Sequence, residues 1–167
     1  ILQQYYNATG DERVIKTLDN YFRYQLKELP KRPIDYLSIW ANRRAGDNLQ
    51  VVYWLYNLTG EPYLLELGNL IAEQTFPYTT VFLNEENYHQ VEVPFRYPSL
   101  KRYPFDQKEI ESLTISQMGS FHCVNLAQGL KQPLVYSQQD HDLKYMAATK
   151  KALKDIQKYH GQPQGMY

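Results

Sequence analysis

The stretch Tyr6-Asn7-Ala8-Thr9-Gly10-Asp11 returns, almost letter for letter, as Tyr56-Asn57-Leu58-Thr59-Gly60-Glu61, 50 positions further on. Each copy follows an aromatic-rich apolar run, and an acid then opens a new helical pattern. Glycine is the residue that most easily ends a helix in the left-handed conformation, which costs other L-residues about 1–2 kcal/mol. The acid falls at the positive amino end of the next helix, favourable by about 0.3–1 kcal/mol, and Pro62 suits a first helical position. A looser third copy is Tyr136-Ser137-Gln138-Gln139-Asp140. A recurring stop-and-start signal of this kind predicts repeated helical hairpins. Asn7 and Asn57 also match the Asn-x-Thr glycosylation pattern, although the turn chemistry already accounts for both.

Outward from the corners, Val14, Ile15, Leu18, Tyr21, Phe22 and Leu26 have the one-sided spacing of an amphipathic helix over 11–29. Two more helices are expected over 47–58 and 62–74. The first of these is apolar on more than one side, which implies burial on several faces. From 76 to 111 the periodicity fails and Tyr, Pro and mixed charge take over, predicting a long loop insertion across one end of the assembly. Val91 and Val93 alternate with polar residues and allow a short strand over Gln90–Phe95. Ser120 is placed to cap a fourth helix that continues or kinks at Pro133. Asp140 is placed to cap a fifth, with Leu143, Met146, Ala147, Leu153 and Ile156 inward and the lysines outward. The expected hairpins therefore cover about 1–29, 47–75 and 120–160. Only Ile1 to Tyr6 precede the first corner, so the chain is expected to belong to a longer polypeptide, whose remainder would be its partner.

Composition narrows the function. Eighteen basic and eighteen acidic residues balance, which gives no electrostatic footprint for nucleic acid. No apolar run approaches the about 18 residues of a membrane span. The single cysteine, Cys123, excludes an internal disulfide and any multi-cysteine metal site made by this chain alone. Sixteen tyrosines and two tryptophans offer flat apolar faces with a hydrogen-bonding rim, suited either to sugar-binding pockets or to packing between helices.

Two segments concentrate binding chemistry. Trp40-Ala41-Asn42-Arg43-Arg44-Ala45-Gly46-Asp47-Asn48 sets an aromatic platform, two guanidinium groups, a carboxylate and two amides at the start of a helix. Trp40, Arg43, Arg44, Asp47 and Asn48 could bind hydroxyls there, or Asp47 could cap the helix and pair with an arginine. In His122-Cys123-Val124-Asn125, His122 and Asn125 lie three apart on one helical face and could meet one ligand, or the histidine could bond nearby backbone. No phosphate loop, dinucleotide motif, nucleophile elbow or His-Glu-x-x-His pattern is present. Asp47, Glu85, Glu86, Glu92, Asp106, Glu109 and Glu111 are available as paired carboxylates for glycoside hydrolysis, and spacing selects no pair among them.

The Trp40–Asn48 segment, Val52-Tyr53-Trp54-Leu55-Tyr56 with Thr59-Gly60, His122 through Pro133, and His160-Gly161-Gln162-Pro163-Gln164-Gly165-Met166 together resemble the β-L-arabinofuranosidase-like glycoside hydrolases of family 127. The resemblance implies an all-α (α/α)6 toroid of helical hairpins, of which this chain would be an incomplete part. It also implies a retaining hydrolase of L-arabinofuranosides or related plant-type glycans, secreted or periplasmic. Such enzymes use a zinc-held cysteine thiolate as nucleophile and a glutamate as acid/base. The zinc would belong to the full-length protein: Cys123 matches none of the expected ligands, so neither a catalytic residue nor a metal ligand is assigned within this chain. The sugar-binding role carries over to His122 and, more loosely, to Asn125 and the Arg43–Asn48 segment. The competing expectation is a non-catalytic helical-repeat scaffold that binds carbohydrate or another partner through the aromatic loop from Tyr78 to Tyr103.

Overall fold

The computed structural model describes residues 1–84, 102–115 and 122–165. It is all-α, with no strand among the described residues. The helices are α1 (Leu2–Thr9), α2 (Arg13–Glu28), α3 (Ile39–Arg43), α4 (Ala45–Thr59), α5 (Tyr63–Gln74), α6 (Tyr78–Leu83), α7 (Gln107–Ser112), α8 (Cys123–Gly129), α9 (Gln132–Tyr136) and α10 (Lys144–His160).

The two corners match down to their hydrogen bonds. Gly10 and Gly60 have φ of 67° and 70° and donate their N–H to the carbonyls of Tyr6 and Tyr56 at 2.7 and 2.8 Å. Thr9 and Thr59 each donate their hydroxyl to the carbonyl four residues back, and the hydroxyl oxygen itself accepts from the N–H of Asp11 or Glu61. The acids then diverge. Asp11 accepts the backbone N–H of Arg13 and its guanidinium, and these hydrogen bonds hold its carboxyl down to about 2. Glu61 caps nothing and pairs instead with Arg23 of α2 at 3.0 Å. Arg23 also bonds Asp19 and lies 4.0 Å over the Tyr63 ring, tying α2 to the start of α5.

Two apolar cores form. In the first, α2, α4 and α5 bury Phe22, Leu49, Leu55, Leu64, Leu67 and Ile71 almost completely. Each such side chain is worth about 1.5–3 kcal/mol relative to exposure. In the second, Phe76, Val81, Phe82, Leu113, Ala148 and Ile156 gather from α6, α10 and their neighbours. Short α9 bridges the two, packing on α4 and on α10.

The stretch expected to be loop holds α6 and α7 at its ends, each only six residues long and too short to show a helical period. The strand expected over Gln90–Phe95 and the cap expected at Ser120 lie outside the described residues. The fourth helix is broken between Gly129 and Gln132, with Pro133 in the first turn of α9, where its missing N–H is harmless. Two features of the last helix differ from expectation. Its first N–H is bonded by Asp142, while Asp140 accepts the Tyr145 hydroxyl instead. Its buried face is Tyr145, Ala148, Thr149, Ala152 and Ile156, leaving Leu143, Met146 and Leu153 exposed. The small Ala148 and Ala152 win because they let α10 approach α6 closely, which the longer side chains on the other face would prevent.

Gly129 is pressed against a neighbouring helix: a Cβ there would lie 2.3 Å from the Tyr78 ring, whereas at Gly60 it would meet nothing within 4 Å. Gly60→Ala should therefore cost about 1 kcal/mol, from backbone strain alone. Gly129→Ala should cost about 3 kcal/mol by overpacking a ring that cannot move. Urea unfolding of both variants checks the ranking, and equal effects would refute it.

Candidate functional site

The site is organised by the junction of α3 and α4. Ser38 starts α3 by accepting the N–H of Trp40 at 3.3 Å, and Arg44 separates the two helices with a non-helical φ of −114°. Trp40 is thereby left 43% exposed on the outer side, while Asn42 and Arg43 turn inward and are buried. The buried Asp35 accepts from Asn42 Nδ2 at 2.8 Å and from the Tyr103 N–H at 2.6 Å, holding this junction against the far end of the inserted segment.

Trp40, Arg44, His122 and Asn125 come together. Arg44 Nε donates to Asn125 Oδ1 at 3.0 Å, and its guanidinium carbon lies 5.0 Å from the Trp40 ring. The His122 ring meets Trp40 edge-on, with centroids 4.9 Å apart. His122 is the residue before α8, and its Nδ1 is buried with no hydrogen-bond partner. Asn125 is itself buried, with its side-chain Oδ1 committed to Arg44. His122 and Asn125 thus meet Trp40 and Arg44 as one cluster.

The remaining residues of the Trp40 segment do other work. Arg43 stacks 3.8 Å over Phe76, and burial lowers its guanidinium to about 10. Asp47 forms an ion pair with Lys131, and Asn48 Nδ2 donates to Gln25 Oε1 at 3.0 Å. Asp47 and Asn48 nevertheless line a depression of about 520 Å3 with Trp40, Arg44, Gln25 and Tyr21. Tyr21 and Gln25, four apart on α2, were not singled out by the sequence. Tyr21 fits the apolar spacing of α2, yet it lies at the edge of that face and is 49% exposed.

A separate and larger cleft of about 710 Å3 opens between α5, α6, α9 and α10, lined among others by Asn69, Glu73, Asn84, Tyr136, Lys144 and Tyr145. The Tyr136 hydroxyl donates to Asn69 and the Tyr145 hydroxyl to Asp140. Burial, helped by the hydrogen bond to Asp140, pushes the Tyr145 phenol up to about 12.

Among the described residues no three His, Cys, Asp or Glu side chains gather as metal ligands. Cys123 is exposed, whereas His122 Nδ1 is buried. The zinc that the resemblance implies is assigned to no residue of this chain, and no chemistry is derived through it. Comparison with protein-family models, with curated proteins and with solved structures found no match.

Tyr145 sets a pH dependence whose sign follows from linkage. A phenol raised from 10.0 to about 12 favours the neutral form in the folded state, so its contribution is complete below pH 10 and is lost as pH rises through 12. Tyr145→Phe should flatten the fall in unfolding free energy between pH 10 and 12, read by urea titration at several pH values. An unchanged slope would contradict the assignment.

Proposed function

We propose that this chain is a helical part of a glycoside hydrolase acting on L-arabinofuranosides or related glycans, and that the cluster around Trp40 binds the sugar. The observation that carries the reading is the Arg44–Asn125 hydrogen bond, which spans 81 positions and joins the two segments richest in binding chemistry. It places an exposed indole, a guanidinium and an imidazole on one surface. Each has a use toward a sugar. The Trp40 face packs on C–H groups of a ring, and such flat amphipathic platforms suit ligands with one apolar face. Arg44 keeps its position through Nε, which leaves its terminal N–H groups for ring hydroxyls. The His122 ring meets that indole edge-on and flanks the platform, its buried Nδ1 having no hydrogen-bond partner. The toroid arrangement, the retaining mechanism, the zinc and the extracytoplasmic location belong to the same proposal and rest on the family resemblance. The nucleophile and acid/base are assigned to no residue of this chain.

Hydrolysis of a 4-nitrophenyl L-arabinofuranoside by the full-length protein tests it. His122→Ala should lower kcat/KM by about 100-fold while moving Tm by no more than about 4 °C. Trp40→Ala should act mainly on KM. Full-length protein that cleaves no arabinofuranoside, with or without added zinc, removes the enzymatic half of the proposal. Sugar binding without cleavage would then identify a carbohydrate-binding scaffold.

A further inference from the structure

Three surface depressions meet at Tyr21. The middle one is the Trp40 depression. On one side it shares Tyr21, Gln25 and Ser38 with a depression of about 390 Å3 walled by Tyr24, Pro33 and Tyr36. On the other it shares Tyr21, Asp47 and Asn48 with one of about 560 Å3 that reaches Gln3 and Gln50. Through these shared residues the three depressions adjoin one another in a row, a segmented groove. Along α2 alone, the seven helical steps from Tyr21 to Glu28 span about 10 Å, more than one furanose ring.

The lining has a consistent chemistry. Tyr21, Tyr24, Tyr36 and Trp40 are between 43% and 58% exposed, although aromatic rings of this size are usually buried further. The charges within it balance, with Arg32 and Arg44 against Glu28 and Asp47. Arg32 is engaged over Tyr36, and Asp47 is paired with Lys131. The Gln25–Asn48 bond uses one half of each amide and leaves the Gln25 NH2 and the Asn48 carbonyl for another partner. Stacking faces, neutral amides and no net charge fit an uncharged polyhydroxyl chain and give no purchase to an anionic polymer.

We infer that this groove holds several consecutive residues of a neutral glycan chain, with sugars bound on both sides of the one at Trp40. This deepens the proposed function and rests on the sugar reading of Trp40 and Arg44. The substrate class it names is a polysaccharide or oligosaccharide in place of a small glycoside.

The test is calorimetric binding of methyl L-arabinofuranoside and of linear arabinohexaose to the full chain and to a Tyr24→Ala/Tyr36→Ala variant, both of whose replaced side chains are exposed. The hexasaccharide should bind at least about tenfold tighter than the monosaccharide, and the variant should lose about that factor for the hexasaccharide alone. Equal affinity for the two ligands, or a variant that binds the hexasaccharide normally, overturns the groove while leaving the Trp40 site standing. Binding of neither ligand overturns the sugar reading itself. Aromatic grooves also receive polyproline helices, so a proline-rich peptide that binds where the hexasaccharide does not would overturn the inference in favour of a protein partner. A circular dichroism melt shows whether the variant is folded; should it unfold, Tyr24→Ser with Tyr36 intact repeats the comparison.

Discussion

The hydroxyl of Tyr78 is the contact on which the arrangement of the molecule turns. It sits 2.9 Å from the carbonyl of Arg43 and 3.1 Å from that of Asn125, sharing one proton between two chain segments remote in sequence. Burial pushes the phenol well above its ordinary value and keeps it neutral, so it remains a donor. Its ring rests against Gly129, stacks edge-on to Phe76 and lies beside Phe82. Tyr78 belongs to the second core, and its hydroxyl reaches the α3–α4 junction, where Ala45 belongs to the first. A buried hydroxyl without a partner would cost about 1–3 kcal/mol, so the junction and α8 are held in register by a penalty for moving apart.

The cluster around Trp40 stands on that joint. Because Tyr78 fixes the carbonyls of Arg43 and Asn125, the side chains of the adjoining Arg44 and of Asn125 arrive within hydrogen-bonding distance. His122 then follows from the start of α8 and Trp40 from α3. Asp35 gives a second brace, receiving Asn42 from one direction and the Tyr103 amide from the other. The polar surface is thus built on a buried polar frame, each member of which bonds another, as low-dielectric surroundings require.

Part of this was legible in the residues. Tyr-Asn-x-Thr-Gly-acid predicts both helix corners because three of its letters have a local use: the glycine for its positive φ, the threonine for two hydrogen bonds, the tyrosine carbonyl for the terminating bond. The identity of the acid misleads, since Asp11 bonds its own helix start while Glu61 reaches across to α2. The Trp40 and His122 segments stand out by composition, yet nothing local says that Arg43 turns inward and Arg44 outward. The last helix shows the same limit. Its apolar residues occupy two faces, and only the neighbour decides that the alanine face is buried while Leu143, Met146 and Leu153 face outward.

What the sequence determined by itself is therefore what short-range sterics and capping decide: that the chain is helical, where its main helices stop, and which two segments concentrate polar and aromatic side chains. Tertiary structure decided which face of α10 is covered, that α6 and α7 form inside an aperiodic stretch, and that Trp40 and His122 are neighbours. The physical reason is range. A glycine corner is a property of about six residues, whereas the burial of a face or the meeting of two side chains 81 positions apart depends on packing partners no local pattern encodes.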